Sequence, residues 1–211
     1  MRFYEISKRI LDIFGAIVGI IIFSPLMIGT IIWVKLVSPG GPVLADTPLR
    51  VGRHRKLFKL LKFRSMMPNA HEWLKSQPEL WNQYIKNNYK LDPDPRLIKG
   101  ARFLRKSSID EMPQFLNVLI GNMSIVGPRA YYPFEIDEQL KKYPQVENLM
   151  DSVLNVKPGI TGLWQVSGRS ELNFEERVRL DAKYAFNKSL LYDLLIIIKT
   201  PYVVLTGKGA Y

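Results

Sequence analysis

IFGAIVGIIIFSPLMIGTIIWV, residues 13–34, is 22 residues without a single charge. As a straight helix it would reach roughly 30 Å, about one hydrocarbon thickness. An ordinary core helix is the plainer alternative, but core helices are seldom so long and apolar. A cleavable leader is the other, and no small-residue cleavage site follows the run. Ser24-Pro25 sits in the middle. Proline there removes a backbone hydrogen bond and clashes with the preceding turn, and the hydroxyl just before it can satisfy the freed carbonyl.

The flanks decide between two membrane paths. Arg2, Lys8 and Arg9 precede the run, Lys35 closes it, and a basic chain follows. Positive charge holds both ends on the cytoplasmic side. A helix that breaks at Ser24-Pro25 and returns satisfies both ends, and residues 1–37 are read as such a re-entrant hairpin. A single span is the competing path.

Beyond Ser38-Pro39-Gly40-Gly41-Pro42 the chain is polar and mixed, and residues 38–211 are read as one domain. Across the 211 residues, 47% are apolar and 23% charged, which is a globular composition. No cysteine and only two histidines, His54 and His71, are present. That rules out disulfides and thiolate metal sites, and leaves little for a histidine-based zinc site or a Ser-His-Asp triad. The net charge of +11 suits a polyanion: nucleic acid, anionic lipid or a phosphate-bearing substrate.

The alternating run RVGRHRKLFKLLKFRSM (50–66) predicts a strand or hairpin, with a helix as the other option. Residues 69–90 predict helix, with a new start at Pro78 and Leu74, Trp81, Tyr84 and Ile85 buried. LDPDPR (91–96) is a proline-set connector whose Asp92 and Asp94 lack the further ligands of a calcium loop. A loop is expected at VGPRA (126–130) and glycine-rich loop with short extended pieces at VKPGITGLWQVSGR (156–169). Residues 173–187 read as helix. The apolar tail 189–205, interrupted by Asp193, Lys199 and Pro201, reads as a helix in the core or the membrane interface. The sum is an α-rich α+β chain with few short strands.

SSIDEMPQF (107–115) puts Asp110 and Glu111 side by side. Ser108-x-x-Glu111 matches a capping box, and negative charge is favoured in a first helical turn. The basic residues Arg102, Arg105 and Lys106 just before it also suit phosphoryl chemistry. One carboxylate can attack phosphorus or hold a divalent cation while guanidinium groups neutralise phosphate oxygens. Mg²⁺ prefers carboxylate and phosphate oxygens.

FSP in the apolar run, KFRSM, RFLRKSSIDEMPQFLNVLIGNMSIVGPR, VKPGITGLWQVSGR and the terminal GAY together resemble the bacterial sugar transferases. These are monotopic phosphoglycosyl transferases, and the likeness runs from Lys8 to Tyr211. The resemblance implies transfer of a sugar 1-phosphate from a UDP-sugar to polyprenyl (undecaprenyl) phosphate with release of UMP. It implies Asp110 as the nucleophile of a covalent aspartyl phosphosugar and Glu111 as the Mg²⁺ ligand. Lys62, Arg105 and Arg129 are implied on phosphates, with Asp181 supporting the site. It further implies a compact catalytic domain with interfacial helices on the cytosolic face of the bacterial inner membrane, touching membrane lipids. NNYKLDPDPR (87–96) and GAY point to galactose or glucose, and a homodimer is the default assembly. The likeness is to the minimal catalytic core, without further membrane helices.

Two departures stand out. Ala130 replaces the second proline of the family's Pro-Arg-Pro loop, which leaves Arg129 less rigidly placed. LADTPL (44–49) replaces an aromatic-rich segment. Two other functions compete: a non-catalytic membrane-surface scaffold, against which the intact carboxylate pair argues, and a nucleic-acid binder. The uncharged run and the lack of a binding motif count against nucleic acid as a partner.

Overall fold

The computed structural model describes residues 2–87 and 91–206. Its longest element, α1 (Arg2–Val37), contains the whole apolar run. Only 17% of its most apolar 18-residue window is buried, so α1 is no ordinary core helix, and by length and composition it could cross a membrane. Pro25 has no N–H for the carbonyl of Ile21, four residues back. The Ser24 hydroxyl donates to that carbonyl at 2.9 Å instead, and the helix runs on to Val37. The expected break at Ser24-Pro25 is thus a substituted hydrogen bond inside one continuous helix.

Polar contacts pin the amino-terminal turns of α1. Lys8 Nζ lies 3.2 Å from both Asp12 Oδ1 and Asp193 Oδ2. Asp12 Oδ1 accepts from the Ser124 hydroxyl at 2.8 Å and the Ile125 N–H at 2.9 Å. Arg9 donates to the carbonyls of Val118 and Leu119 at 2.6 and 2.8 Å, closing the end of α5 (Gln114–Ile120). Further along, Phe23 and Phe115 stack with ring centroids 6.2 Å apart. Gly19 makes this fit possible, because a Cβ there would stand 2.6 Å from Phe115 ring carbons.

The alternating run forms a hairpin, β1 (Arg50–Val51) antiparallel to β2 (Leu57–Phe58). Two short helices follow, α2 (Ala70–Lys75) and α3 (Pro78–Lys86), with Pro78 in the first turn where its missing N–H costs nothing. Leu74 is buried and Trp81 and Tyr84 half-buried, but Ile85 is exposed, because α3 rests on the domain along one narrow stripe. Asp94 and Asp92 pair with Arg96 and Arg102, each at 2.7 Å, so both are spent on arginines. Residues 88–90 and the terminal 209–211, part of the segments tied to sugar preference, lie outside the described residues.

After α4 (Ala101–Lys106) the chain enters the carboxylate segment, then α5, then β3 (Ser124–Val126). β3 pairs in parallel with β4 (Gly159–Thr161), and the strands approach so closely that a Cβ on Gly159 would collide with the Gly127 backbone. LWQVS, expected as loop, is a short helix, α8 (Leu163–Ser167). Between the strands lie α6 (Pro133–Lys142) and α7 (Glu147–Leu154). Residues 173–187 fold as expected into α9 (Phe174–Asn187), whose Asn173 and Glu176 form the capping box that 108–111 lacks. The tail is α10 (Leu190–Thr206). One buried cluster joins Ala16 of α1 to Val118, Val126, Tyr184 and Ile196, and a second joins Tyr131, Met150, Phe174 and Val178. Helices with a few two- and three-residue strands match the α-rich α+β expectation.

Candidate active site

Asp110 and Glu111 are not in the first turn of a regular helix. They lie in a 3₁₀ turn, Ile109–Glu111, entered through Ser108 at a left-handed φ of 58°. Pro113 is the reason for the split: inside a helix from 109 to 120 it would clash with the Ile109 carbonyl and leave it unbonded. The Met112 N–H bonds that carbonyl at 3.2 Å instead, and α5 starts after Pro113. The expected capping box does not form. The Ser108 hydroxyl accepts from Arg169 Nη2 at 2.9 Å, and the Glu111 carboxylate turns to Lys62.

Lys62 is positioned by its neighbours. The buried Asn117 side chain accepts from the Leu61 N–H and donates to the Lys59 carbonyl, both at 2.9 Å. On the other side the Phe63 N–H donates to the Asp110 carbonyl at 2.8 Å. The ammonium then reaches Glu111 Oε1 at 2.6 Å and Asp110 Oδ2 at 3.7 Å.

The two carboxylates differ in basicity. Burial raises Asp110 and Glu111's charge adds to this, against Lys62 and Arg105. Burial acts on Glu111 as well, but Lys62, by charge and hydrogen bond, outweighs it and holds the group below the usual carboxylate range. Paired groups driven apart in this way are typical of divided catalytic roles.

Arg105, on α4, is half-buried, close enough to act on Asp110, and has no side-chain partner among the described residues. Arg129 acts on Glu111 from the loop after β3, with Nε 3.8 Å from Glu135 and its guanidinium carbon 5.4 Å from the Trp164 ring centre. Asp181, fully buried in α9, accepts from the Arg129 N–H at 3.1 Å and the Tyr131 hydroxyl at 2.8 Å. Burial pushes its carboxyl up to about 7 despite these bonds. The structure thus brings Lys62, Arg105, Asp110, Glu111 and Arg129 together and puts Asp181 behind the loop that carries Arg129.

Ala130 does not leave that loop loose. Arg50 donates to the Ala130 carbonyl at 2.9 Å and lies over the Tyr132 ring, 3.2 Å from its centre. The Val51 N–H holds the Tyr131 carbonyl at 2.9 Å. Sequence reasoning missed Arg50, Asn117 and Arg169. Arg50 looked like one more cation in a basic run. Arg169 closes the quoted VSGR motif, which was the one signal the sequence offered; the structure adds a left-handed φ of 52° at a buried position. Arg50 Nε, Arg169 Nη1 and Trp164 Nε1 are buried donors without a hydrogen-bond partner among the described residues. Such donors are costly unless an anionic oxygen meets them.

Among the described residues no three histidines, cysteines or carboxylates cluster. The site therefore offers a cation two carboxylates and no nitrogen or sulfur. That set fits Mg²⁺, which takes one or two carboxylates and completes its shell with substrate phosphates and water.

Comparison with known proteins gives this arrangement its relatives. The model of the family "Bacterial sugar transferase" matches residues 3–207. The undecaprenyl-phosphate galactose phosphotransferase of Salmonella typhimurium is 44% identical over 97% of this chain and 41% of its own length. An exopolysaccharide production protein, ExoY, of Sinorhizobium fredii is 40% identical over 98% of this chain and 88% of its own. An N-acetylgalactosamine phosphotransferase of Aeromonas hydrophila, acting on undecaprenyl phosphate by its name, is 35% identical over 98% of this chain and 45% of its own. The chain therefore spans less than half of the Salmonella and Aeromonas proteins and most of ExoY. The chain belongs to the bacterial sugar transferase family.

Proposed function

We propose that this chain transfers a sugar 1-phosphate, with galactose or glucose the favoured sugar, from a UDP-sugar to undecaprenyl phosphate. The observation that carries the reading is the Lys62–Asp110–Glu111 contact under a surplus of cations. Two adjacent carboxylates of opposite pKa drift face Lys62, Arg105, Arg129, Arg50 and Arg169, which suits two phosphate groups and the charge that develops between them.

Asp110, the more basic carboxylate, attacks the sugar-linked phosphorus. The bond from that phosphorus to the bridging oxygen breaks, and UMP departs with the electron pair. A phosphate oxygen of the polyprenyl acceptor then attacks the same phosphorus and expels the Asp110 carboxylate, giving the polyprenyl diphosphate sugar. Lys62 shields Asp110 from its neighbour's charge during the first attack, and the arginines hold the phosphate oxygens. Glu111, kept ionised, would hold Mg²⁺, which supplies further neutralisation of the diphosphate when bound.

The membrane path belongs to the same proposal. In that reading α1 anchors the chain in the bacterial inner membrane as one continuous helix, with the catalytic domain on the cytosolic side. Exposed apolar side chains such as Phe103, Ile120, Leu191 and Ile198, on α4, α5 and α10, lie in the interface beside it.

The test is UMP release across UDP-galactose, UDP-glucose and N-acetylated UDP-sugars, with Mg²⁺ and undecaprenyl phosphate. Donor alone should leave a phosphosugar on Asp110, detectable by mass spectrometry, and Asp110→Asn should abolish both signals while keeping its fold. Full activity in that variant overturns the nucleophile. Silence across the whole panel favours the scaffold.

A further inference from the structure

A second cluster of cations lies at the far end of α5 from Asp110 and Glu111. It lines a cleft between the first turns of α1, the loop at Arg53, the segment 155–157 and Lys188. Lys8 is matched there by Asp12 and Asp193. Arg53 and Lys188 share the single carboxylate of Glu5, at 3.3 and 3.7 Å. Arg9 faces only backbone carbonyls. Lys157 has no side-chain partner among the described residues, although burial and then the nearby Arg9 push its ammonium below the usual lysine range.

Arg9 and Lys157 meet at one point. The Arg9 Nη2 and Lys157 Nζ atoms each lie 3.7 Å from where a Cβ on Gly121 would stand. Five cations therefore face three carboxylates, with the surplus concentrated at Arg9 and Lys157. The next residue back, Ile120, is 68% exposed, and Phe3, Ile6 and Ile10 are exposed on α1. The surplus charge thus sits beside an apolar surface, as a phosphate group at a bilayer boundary would require.

We infer that Arg9 and Lys157 form a phosphate site, separate from the reaction centre, that takes the headgroup phosphate of an anionic phospholipid. α5 is seven residues long, which puts about 10 Å between this site and the start of the helix after Asp110-Glu111. It is therefore not where the reacting acceptor phosphate sits. Its role is to set the depth and tilt of the domain at the membrane surface. The inference rests on the membrane reading of α1.

The experiment uses the full chain in detergent and measures the thermal shift given by dihexanoyl phosphatidylglycerol, dihexanoyl phosphatidylcholine and inorganic phosphate. The anionic phosphatidylglycerol should stabilise most, and Lys157→Gln should weaken its apparent affinity about fivefold, the effect of one cation at a lipid surface. Lys157→Glu should weaken it further, and Lys86→Gln, on α3, should leave it alone. UMP release by Lys157→Gln should stay at the level of the unaltered protein, which separates this inference from the proposed reaction. Equal stabilisation by inorganic phosphate overturns the headgroup as the source. An unchanged lipid response in both Lys157 variants overturns the site, and loss of UMP release in Lys157→Gln overturns its separateness.

Discussion

Lys62 Nζ lies 2.6 Å from Glu111 Oε1, and this ion pair keeps two adjacent carboxylates compatible in one half-buried turn. Asp110 is within 3.7 Å of the same ammonium. Replacing Lys62 with Met leaves two negative groups side by side, and the expected loss is roughly 1–3 kcal/mol, moderated by the partial exposure of Glu111. UMP release should fall at least about 100-fold, as for loss of one well-placed electrostatic group. Thermal unfolding and a single-turnover assay of the purified variant check both. Near-normal turnover would show that Lys62 is only structural.

Asn117 has no chemistry of its own to offer, yet it fixes the backbone on the approach to Lys62. Asn117→Ala leaves the Leu61 N–H and the Lys59 carbonyl without their partner, at a cost of about 1–3 kcal/mol for each group that stays buried. The expected outcome is a lower Tm together with reduced kcat, since Lys62 loses its placement. Asn117→Asp keeps the acceptor for Leu61 but turns a carboxylate oxygen toward the Lys59 carbonyl at a buried position, and should cost at least as much as Asn117→Ala.

The fold was legible wherever a local rule acts alone. The apolar run gave the helix α1, though not its continuity through Pro25, Pro78 gave the start of α3, and the period-two pattern gave the hairpin of β1 and β2. The carboxylates were legible as a pair, but their local geometry was not. Ser108-x-x-Glu111 satisfies the capping pattern on paper, while Pro113 three-dimensionally forces a 3₁₀ turn and Lys62, 49 residues upstream, captures the glutamate. Arg50 was hidden for the same reason: its partners, Ala130 and Tyr132, are about 80 residues away in sequence. Periodicity reports which face of an element is buried, not what a single long side chain meets there.

Arg50 takes over the rigidity that a second proline at position 130 would provide. It combines a hydrogen bond to the Ala130 carbonyl with stacking on Tyr132. A lysine keeps the charge but neither the fork nor the flat face. Arg50→Lys should therefore lower kcat/KM by about tenfold or more, chiefly through Arg129, with a stability loss on the order of 1–2 kcal/mol. Steady-state kinetics on the donor, with Tm as control, test this. If the loop needs no clamp, Arg50→Lys will match the unaltered protein in both.

Asp181 gives the molecule a pH-dependent stability of definite sign. Its carboxyl titrates at about 7 in the folded chain because it is buried, and near 3.9 in an unfolded one. The folded value is the higher, so its contribution is fully present below about pH 4 and is lost as pH rises through about 7. Asp181→Asn keeps an acceptor for the Arg129 N–H and the Tyr131 hydroxyl but cannot ionise. The gap in Tm between Asp181→Asn and the unaltered protein should therefore move in favour of asparagine from pH 5 to pH 8. The corresponding change in stability between those two pH values is at most roughly 3 kcal/mol. Melting curves in detergent at half-unit pH steps would show it, and parallel curves would mean that Asp181 ionises as freely as a surface carboxylate.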